Sequence, residues 1–301
     1  MNDKYQIISD GSCDLPQELT KEKNIVVVPF YVSMDSETYR KEMVEVDVRD
    51  FYREMVEKKG VYPKTSMPST QDYCNAFEPY VKAGVPVICL CITTKFSGSM
   101  QSAKSAKDII LEDYPEAIIT IVDTEVDTVL QGIYVLEACR LRDMGVGYEE
   151  AIERLKAIRS SGRIFFTVGN IEYLKHGGRI GKLAGLAGGM LGIKPLITLK
   201  DGEIFPSGIV RSRKKSMDKV IDMLLAYVDE DKAGMSDYSL CIGYGYDHDE
   251  ALEFRKLALE RLAHLGVKEI PIYQIGATIG VHTGPYPIGF GIVKRADKIE
   301  I

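Results

Sequence analysis

The first half of the chain alternates short apolar, β-branched runs with longer amphipathic stretches, and this alternation restricts the possible folds more than any other feature. Four runs predict buried strands, over residues 5–9, 25–32, 86–93 and 117–123. Four stretches are about long enough for helical crossovers, over residues 48–59, 70–81, 98–112 and 128–144. This βαβ pattern predicts an α/β unit with a mostly parallel sheet and helices on both of its faces.

The second half follows a different pattern that includes a hairpin. Two β-like runs, 194–200 and 203–210, are joined by Asp201-Gly202, which is typical of a type I′ turn because both central residues need positive φ. Further strands are predicted over 163–168, 238–244 and 269–275, with helices over 213–228 and 249–265. We therefore predict an N-terminal α/β domain over residues 1–161 and a C-terminal α+β domain with antiparallel strands over residues 162–301.

Composition and charge exclude several classes of protein. The 301 residues carry 38 basic and 44 acidic side chains, a net charge of −6, which argues against a nucleic-acid partner. The longest apolar stretch, 183–193, falls short of the ~20 residues of a spanning helix. No transmembrane segment is expected, although transient membrane contact stays open. The N-terminus lacks an apolar signal core and the six cysteines are scattered, so we expect a cytoplasmic protein.

Familiar cofactor and catalytic motifs are missing from the sequence. The glycines at 177, 178 and 181 have the wrong spacing for a phosphate-binding P-loop, and Ser97 lacks the preceding glycine of a hydrolase nucleophile elbow. The four histidines include no His-x-x-x-His pair, and Cys89 and Cys91 are interpreted as core packing rather than metal ligands. No nucleotide, flavin or metal cofactor is therefore expected.

Hydroxyl-rich segments follow several predicted strands. In open α/β sheets ligands bind at the carboxyl ends of strands, where helix N-termini point free N–H groups outward. Ser97-Gly98 opens a predicted helix and is a candidate anion cradle. Capping of the local backbone is the alternative for Ser97 and for Thr65, and it needs no ligand. Turn formation and capping likewise explain Asp10 and Asp123 as well as a catalytic role does.

An ordered set of motifs resembles the DegV family of bacterial proteins. The likeness runs from residue ~7 to ~293, and its pieces stand in the family's order. They are Asp10-Gly11-Ser12-Cys13-Asp14, Pro63-Lys64-Thr65-Ser66-Met67-Pro68-Ser69, Phe96-Ser97-Gly98-Ser99, Val122-Asp123-Thr124, Tyr173-Leu174-Lys175-His176-Gly177-Gly178-Arg179, Leu191-Gly192-Ile193-Lys194-Pro195 and Gly280-Val281-His282-Thr283-Gly284-Pro285.

The resemblance implies a two-domain protein that binds a long-chain fatty acid such as palmitate in a tunnel between its domains. It also implies that the chain is the acyl-binding subunit of a fatty-acid kinase. This subunit presents the carboxyl group of the fatty acid to a separate ATP-binding kinase subunit. Thr65 and Ser97 would bind the carboxylate, with the amide of Gly98 and the side chain of His282 near the head group. Tyr286 departs from the family pattern, which often has glycine there, and leaves the shape of the mouth open.

Apolar and small residues are candidates for the tunnel wall. We predict that the stretch 183–193 contributes to the wall, although its glycines could equally serve close helix packing. The individual predicted wall residues are Phe30, Phe165, Phe166, Leu186 and Ile279.

The concentrated positive charge of this acidic chain lies at Arg179 and over residues 211–215. Arg179, Arg211 and Arg213 are candidates for the head-group region or for docking a partner, although such a run is ordinarily a solvated helix start. The rival to a binding protein is an enzyme. It would be an esterase or acyl-phosphate hydrolase with Ser97 as nucleophile and His282 as base, oriented by Asp123.

Overall fold

A computed structural model describes residues 5–186, 192–231 and 234–299, except for the side chain of Leu186. Labelled in chain order, the strands of this part are β1 Gln6–Asp10, β2 Ile25–Val28, β3 Tyr31–Ser33, β4 Arg40–Lys41, β5 Lys64–Ser66, β6 Val87–Cys91, β7 Ile119–Asp123, β8 Arg163–Thr167, β9 Lys194–Lys200, β10 Glu203–Val210, β11 Tyr238–Tyr244, β12 Ile272–Gln274 and β13 Ile288–Lys294. Its α-helices are α1 Gln17–Glu22, α2 Val48–Glu57, α3 Thr70–Lys82, α4 Ser99–Asp113, α5 Thr128–Asp143, α6 Tyr148–Arg159, α7 Glu172–His176, α8 Arg213–Asp231, α9 His248–Leu262 and α10 Ala277–Thr283.

The first sheet is wholly parallel, in the order β2-β1-β6-β7. Successive side chains of a strand point to opposite faces, so Ile8 packs in the core formed with α3 and α4, whereas Ile7 packs in the core formed with α5. Both faces of the sheet are therefore covered by helices, which confirms the α/β prediction for the first half.

The second sheet has six strands in the order β10-β9-β8-β13-β11-β12, antiparallel except for the β11–β12 pair. Asp201 and Gly202 have φ of 52° and 79°, as the predicted type I′ hairpin between β9 and β10 requires. Helices α8 and α9 cover one face, and α5 packs against β11 and β13 on the other. Helix α5 thus lies between the two sheets.

Proline and glycine account for the main differences from the predicted elements. Residues 25–32 form two strands rather than one, because Pro29 has no N–H to donate and ends β2. Phe30 then leads into β3, the middle strand of a small antiparallel sheet with β4 and β5. The helix α10 and the strand β13 were not predicted. Glycine is frequent in both segments and lowers the intrinsic preference for either structure, so tertiary packing decides their form.

Helix α10 is positioned by a buried carboxylate. The Glu42 side chain is 1% exposed and accepts hydrogen bonds from the amides of Ala277 and Thr278 at the start of α10. A Cβ at Gly276, the residue before the helix, would collide with carboxyl oxygens of Glu42 and Asp14. Burial raises the pKa of both carboxyls. These contacts fix the helix that carries His282 against the N-terminal half of the chain.

Candidate functional site at a cavity between the two sheets

A cavity of about 270 Å³ opens where the carboxyl ends of the parallel strands face the second sheet. The residues that line it come from both halves of the chain and include the four predicted carboxylate-binding residues: Phe30, Thr65, Ser66, Met67, Ile92, Phe96, Ser97, Gly98, Asp127, Phe166, Leu174, Arg179, Ile204, Thr278, Ile279, His282 and Thr283. Folding therefore brings together segments more than 200 residues apart.

Thr65 and His282 form a hydrogen-bonded pair in the cavity wall. Thr65 lies on β5, and its Oγ1 is 3.2 Å from Nε2 of His282 on α10. Burial, followed by the positive charges of Arg179 and Lys64, lowers the pKa of His282 to about 3. His282 is therefore neutral at pH 7. Its Nδ1 is buried without a hydrogen-bond partner in the described part of the chain, against Gly177, where a Cβ would overlap the ring.

Ser97 and Gly98 stand at the N-terminus of α4. The Ser97 hydroxyl accepts a hydrogen bond from the Ser99 amide at 3.2 Å and also lines the cavity, so local capping and contact with a ligand are compatible. A Cβ at Gly98 would lie 2.8 Å from the Met67 sulfur, which packs over this turn. Gly98 itself is exposed, so this end of the cavity reaches the surface.

The buried Asp10 side chain stabilises the turn that leads into α4. Its carboxylate accepts hydrogen bonds from the Ser99 hydroxyl at 2.8 Å, the Ile92 amide at 3.0 Å and the Gln131 side-chain amide at 2.8 Å. Burial is the largest influence on Asp10 and raises its pKa to about 6. The side chain is fully buried and does not line the cavity, so Asp10 holds α4 in place.

Arg179 joins the two segments that flank the mouth. Its Nε and one terminal nitrogen donate to the Phe96 carbonyl at 3.1 and 3.0 Å, and the other terminal nitrogen donates to the Gly177 carbonyl at 2.8 Å. The guanidinium also lines the cavity. Arg179 thus places a positive charge beside Ser97 and His282 while fixing the backbone that precedes α4.

A second, smaller cavity of about 40 Å³ continues inward from the first, and its wall is almost wholly apolar. We call the first the outer cavity and the second the inner cavity. The wall residues that it shares with the outer cavity are Asp127, Phe166, Ile204, Ile279 and Thr283. The outer cavity has a polar end and the inner one is apolar, an arrangement that suits a ligand with a charged head and a hydrocarbon tail.

The predicted wall residues divide between the cavity and other places. Phe30, Phe166 and Ile279 line the outer cavity. The prediction for Phe165 is wrong, because alternation along β8 puts its side chain on the opposite face, in the core with α8 and α9. The side chain of Leu186 and residues 187–191 of the predicted glycine-rich wall lie outside the described residues.

The cationic run at 211–215 lies away from the cavity. Arg211 is exposed, and Arg213 pairs with Glu250 through two hydrogen bonds of 2.7 and 2.6 Å. Neither residue lines the outer or the inner cavity. Of the three predicted arginines, the structure therefore places only Arg179 at the site.

The residues of the rival enzyme do not assemble into a catalytic triad. Asp123 accepts hydrogen bonds from the Thr94 hydroxyl at 2.6 Å and the Glu125 amide at 2.9 Å, which is a turn-stabilising role. In the described ranges, neither a Ser97–His282 nor an Asp123–His282 hydrogen bond is present, and the partner of His282 is Thr65. The geometry therefore does not support a Ser97 nucleophile activated by His282. Across those ranges, no group of three or more His, Cys, Asp or Glu side chains could hold a metal ion.

Sequence reasoning missed several residues of the wall. Met67 and Phe96 fall inside segments already recognised as motifs, so their place at the mouth could have been found. Thr278 and Thr283 lie on the unpredicted α10. Asp127 follows a strand end by four residues, where an acid is ordinarily interpreted as a helix cap.

The lowered pKa of His282 predicts how stability depends on pH. As pH falls below the ordinary histidine pKa of 6.5, the unfolded chain takes up a proton that the folded chain binds only near pH 3, so the free energy of unfolding decreases. We expect His282→Gln to remove up to about 3 kcal/mol of this decrease between pH 8 and pH 4. Urea unfolding at pH 8 and pH 4 measures the free energy of unfolding of the native protein and of the variant. His264 is exposed, so His264→Gln is the control. Equal pH slopes for native protein and His282→Gln would contradict the prediction.

The fold and the cavity define the class of the protein: an α/β protein with two large sheets, a small third sheet and an internal cavity that is polar at its mouth and apolar inside. The model of a family described as "Uncharacterised protein, DegV family" matches residues 4–295. A DegV domain-containing protein from Clostridium perfringens is 30% identical over 291 residues, which are 97% of this chain and 99% of that protein. The chain belongs to the DegV family, as the sequence motifs predicted.

Two solved structures are similar over nearly the whole chain. The crystal structure of a stearic acid-binding protein from Eubacterium ventriosum has 42% identity and a TM-score of 0.93, covering 98% of this chain and 100% of that one. A fatty-acid-binding DegV family protein from Thermus thermophilus has 28% identity and a TM-score of 0.86, covering 97% and 99%. These likenesses confirm the predicted fold class. Of the helices in the described ranges, none is long and apolar enough to cross a membrane.

Proposed function

We propose that this chain binds one long-chain fatty acid, with the halves 1–161 and 162–301 each forming part of the tunnel. Its carboxylate would lie against the hydroxyls of Thr65 and Ser97, the amide of Gly98 and the side chain of His282. The observation that carries the proposal is the meeting of these donors at one end of a cavity whose other end is apolar. The fatty acids named for the two similar structures support it.

The donor set suits a carboxylate that leaves water. Burying a charged group without hydrogen bonds is costly, and bonds to an ionised acceptor are stronger than neutral ones. Neutral His282 and two hydroxyls supply donors without forming a fixed ion pair. Arg179 adds positive charge nearby, although its own donors are directed at backbone carbonyls. Such a site would hold a carboxylate while leaving its oxygens reactive.

The tail would supply most of the affinity. Each methylene removed from water contributes about 0.8 kcal/mol, so the 14 or so methylenes of palmitate would contribute roughly 11 kcal/mol before the costs of binding. Phe30, Phe166 and Ile279, with the inner cavity behind them, would contribute apolar surface to this burial.

We further propose that the chain presents the bound carboxylate to an ATP-binding kinase subunit. In that reaction a carboxylate oxygen attacks the γ-phosphoryl group of ATP, which yields an acyl phosphate and ADP. Gly98 and Met67 are exposed at the mouth, so the head group would be reachable from outside. Arg179 and Lys64 would offset the negative charge of the product. A phosphate-binding loop is missing from the sequence, which is consistent with a separate subunit providing ATP.

Native mass spectrometry of protein purified from a bacterial host tests the binding step. We expect a bound mass equal to one C14–C18 fatty acid, released on denaturing extraction. A chain that is empty and that also rejects added palmitate, stearate and oleate would contradict the proposal.

The kinase step has its own test. The fatty-acid-loaded chain is mixed with ATP and the ATP-binding subunit of a fatty-acid kinase, and acyl phosphate is trapped as hydroxamate. Product should require both proteins. Product formed by this chain alone, or none with any kinase subunit of its source organism, would overturn the partnership and leave the binding proposal standing.

A further inference from the structure

Asp127 is an acid at the junction of the outer and inner cavities. It lines both of them and is 8% exposed. It occupies the N-cap position of α5, where an aspartate ordinarily accepts a hydrogen bond from an amide of the first helical turn. Here its side chain makes no capping bond, and the first helical amide, that of Thr128, donates to the Ser12 hydroxyl at 3.3 Å. Helix capping therefore does not explain this acid.

The surroundings of Asp127 give its carboxyl no partner from the described part of the chain. Burial alone raises its pKa, to about 7, with no hydrogen bond or cation to oppose the shift. A nearby ionisable group is Asp14, another buried acid, and Asp127 contributes to the raised pKa of Asp14. The other wall residues at the junction are Phe166, Ile204, Ile279 and Thr283. The carboxyl lines both cavities, so an acyl chain that fills them would leave it without a hydrogen-bond partner, and an apolar residue would serve a plain hydrocarbon chain better.

We propose that Asp127 determines specificity by hydrogen-bonding a hydroxyl group carried along the acyl chain, so that the protein prefers hydroxy fatty acids to unsubstituted ones. This inference rests on the proposed function and refines its ligand class. A hydroxyl both donates and accepts, so it can pair with the carboxyl in either protonation state. A saturated methylene or a cis double bond offers no comparable partner and leaves the buried acid unsatisfied.

Competition binding with octadecanoic acids tests the inference. Stearate, oleate and the 3-, 10- and 12-hydroxy derivatives of stearate are compared for the native chain, Asp127→Ala and Asp127→Asn. We expect at least one hydroxy isomer to bind the native chain about tenfold more tightly than stearate. Asp127→Ala should abolish that preference while still binding stearate, which also shows that the variant is folded. Asp127→Asn, which keeps a donor and an acceptor at the same place, should retain it.

Three results would overturn the inference. The first is tight binding of stearate or oleate with no preference for any hydroxy isomer, and the second is a hydroxyl preference that persists in Asp127→Ala. Either leaves the proposed function intact. The third, failure of the native chain to bind any of the acids, overturns the proposed function together with the inference.

Discussion

Replacing Thr65 and Ser97 together with alanine is expected to weaken fatty-acid binding by about a hundredfold to ten-thousandfold. Each hydroxyl would donate to a carboxylate, and a hydrogen bond to a charged group contributes about 1.5–3 kcal/mol. Two such losses amount to roughly 3–6 kcal/mol, and each 1.4 kcal/mol is tenfold in affinity. The dissociation constant for palmitate, measured by fluorescence displacement or calorimetry, gives the result.

The hairpin of the second sheet offers a matched control. Thr198 and Ser207 form a side-chain hydrogen bond of 2.7 Å on an exposed surface, and neither lines the outer or the inner cavity. The double variant Thr198→Ala, Ser207→Ala makes the same chemical change and should bind palmitate as the native chain does. If the double variant Thr65→Ala, Ser97→Ala keeps native-like affinity, the carboxylate binds elsewhere in the cavity. Equal weakening in both double variants would show that general loss of structure, not loss of the site, is the cause.

The variant Gly132→Ala is expected to lower the free energy of unfolding by about 3 kcal/mol. Gly132 lies on α5, and a Cβ there would overlap the carbonyl oxygen of Cys13 and press on Leu15. The Cys13 carbonyl belongs to the backbone and is not a flexible side chain, so α5 or the turn after β1 must shift. Overpacking of this kind typically costs 1–3 kcal/mol or more. Urea or thermal unfolding measures the loss.

Gly147→Ala is the control for this substitution. Gly147 precedes α6 with φ of −65°, and an added Cβ meets nothing within 4 Å. Its effect should stay below about 1 kcal/mol. Because α5 lies between the two sheets and begins next to Asp127, Gly132→Ala should also weaken palmitate binding. Similar unfolding midpoints for the two variants would show that α5 tolerates the displacement.

Much of the architecture was predictable because it depends on local patterns. The apolar runs that became β1, β6 and β7 are bounded by turn residues, and both faces of a parallel sheet are buried, so their composition alone identifies them. Asp201-Gly202 predicted its hairpin because few residues accept positive φ. A local pattern also explains the wrong prediction for Phe165. It shows that Phe165 and Phe166 point to opposite faces of β8, but it does not show which of the two faces the cavity.

The sequence by itself determined the α/β organisation and the family, and it predicted Thr65, Ser97, Gly98 and His282 at the polar end of the cavity. Only the tertiary structure decided that Thr65 and His282 are hydrogen-bonded, that Asp123 belongs to a turn and that Asp127 enters the wall instead of capping α5. Secondary structure follows from periodicity and turn chemistry over a few residues. The partner of a polar side chain depends on which distant segments the packing of α5 and α10 brings into hydrogen-bonding distance, and no local pattern records that distance.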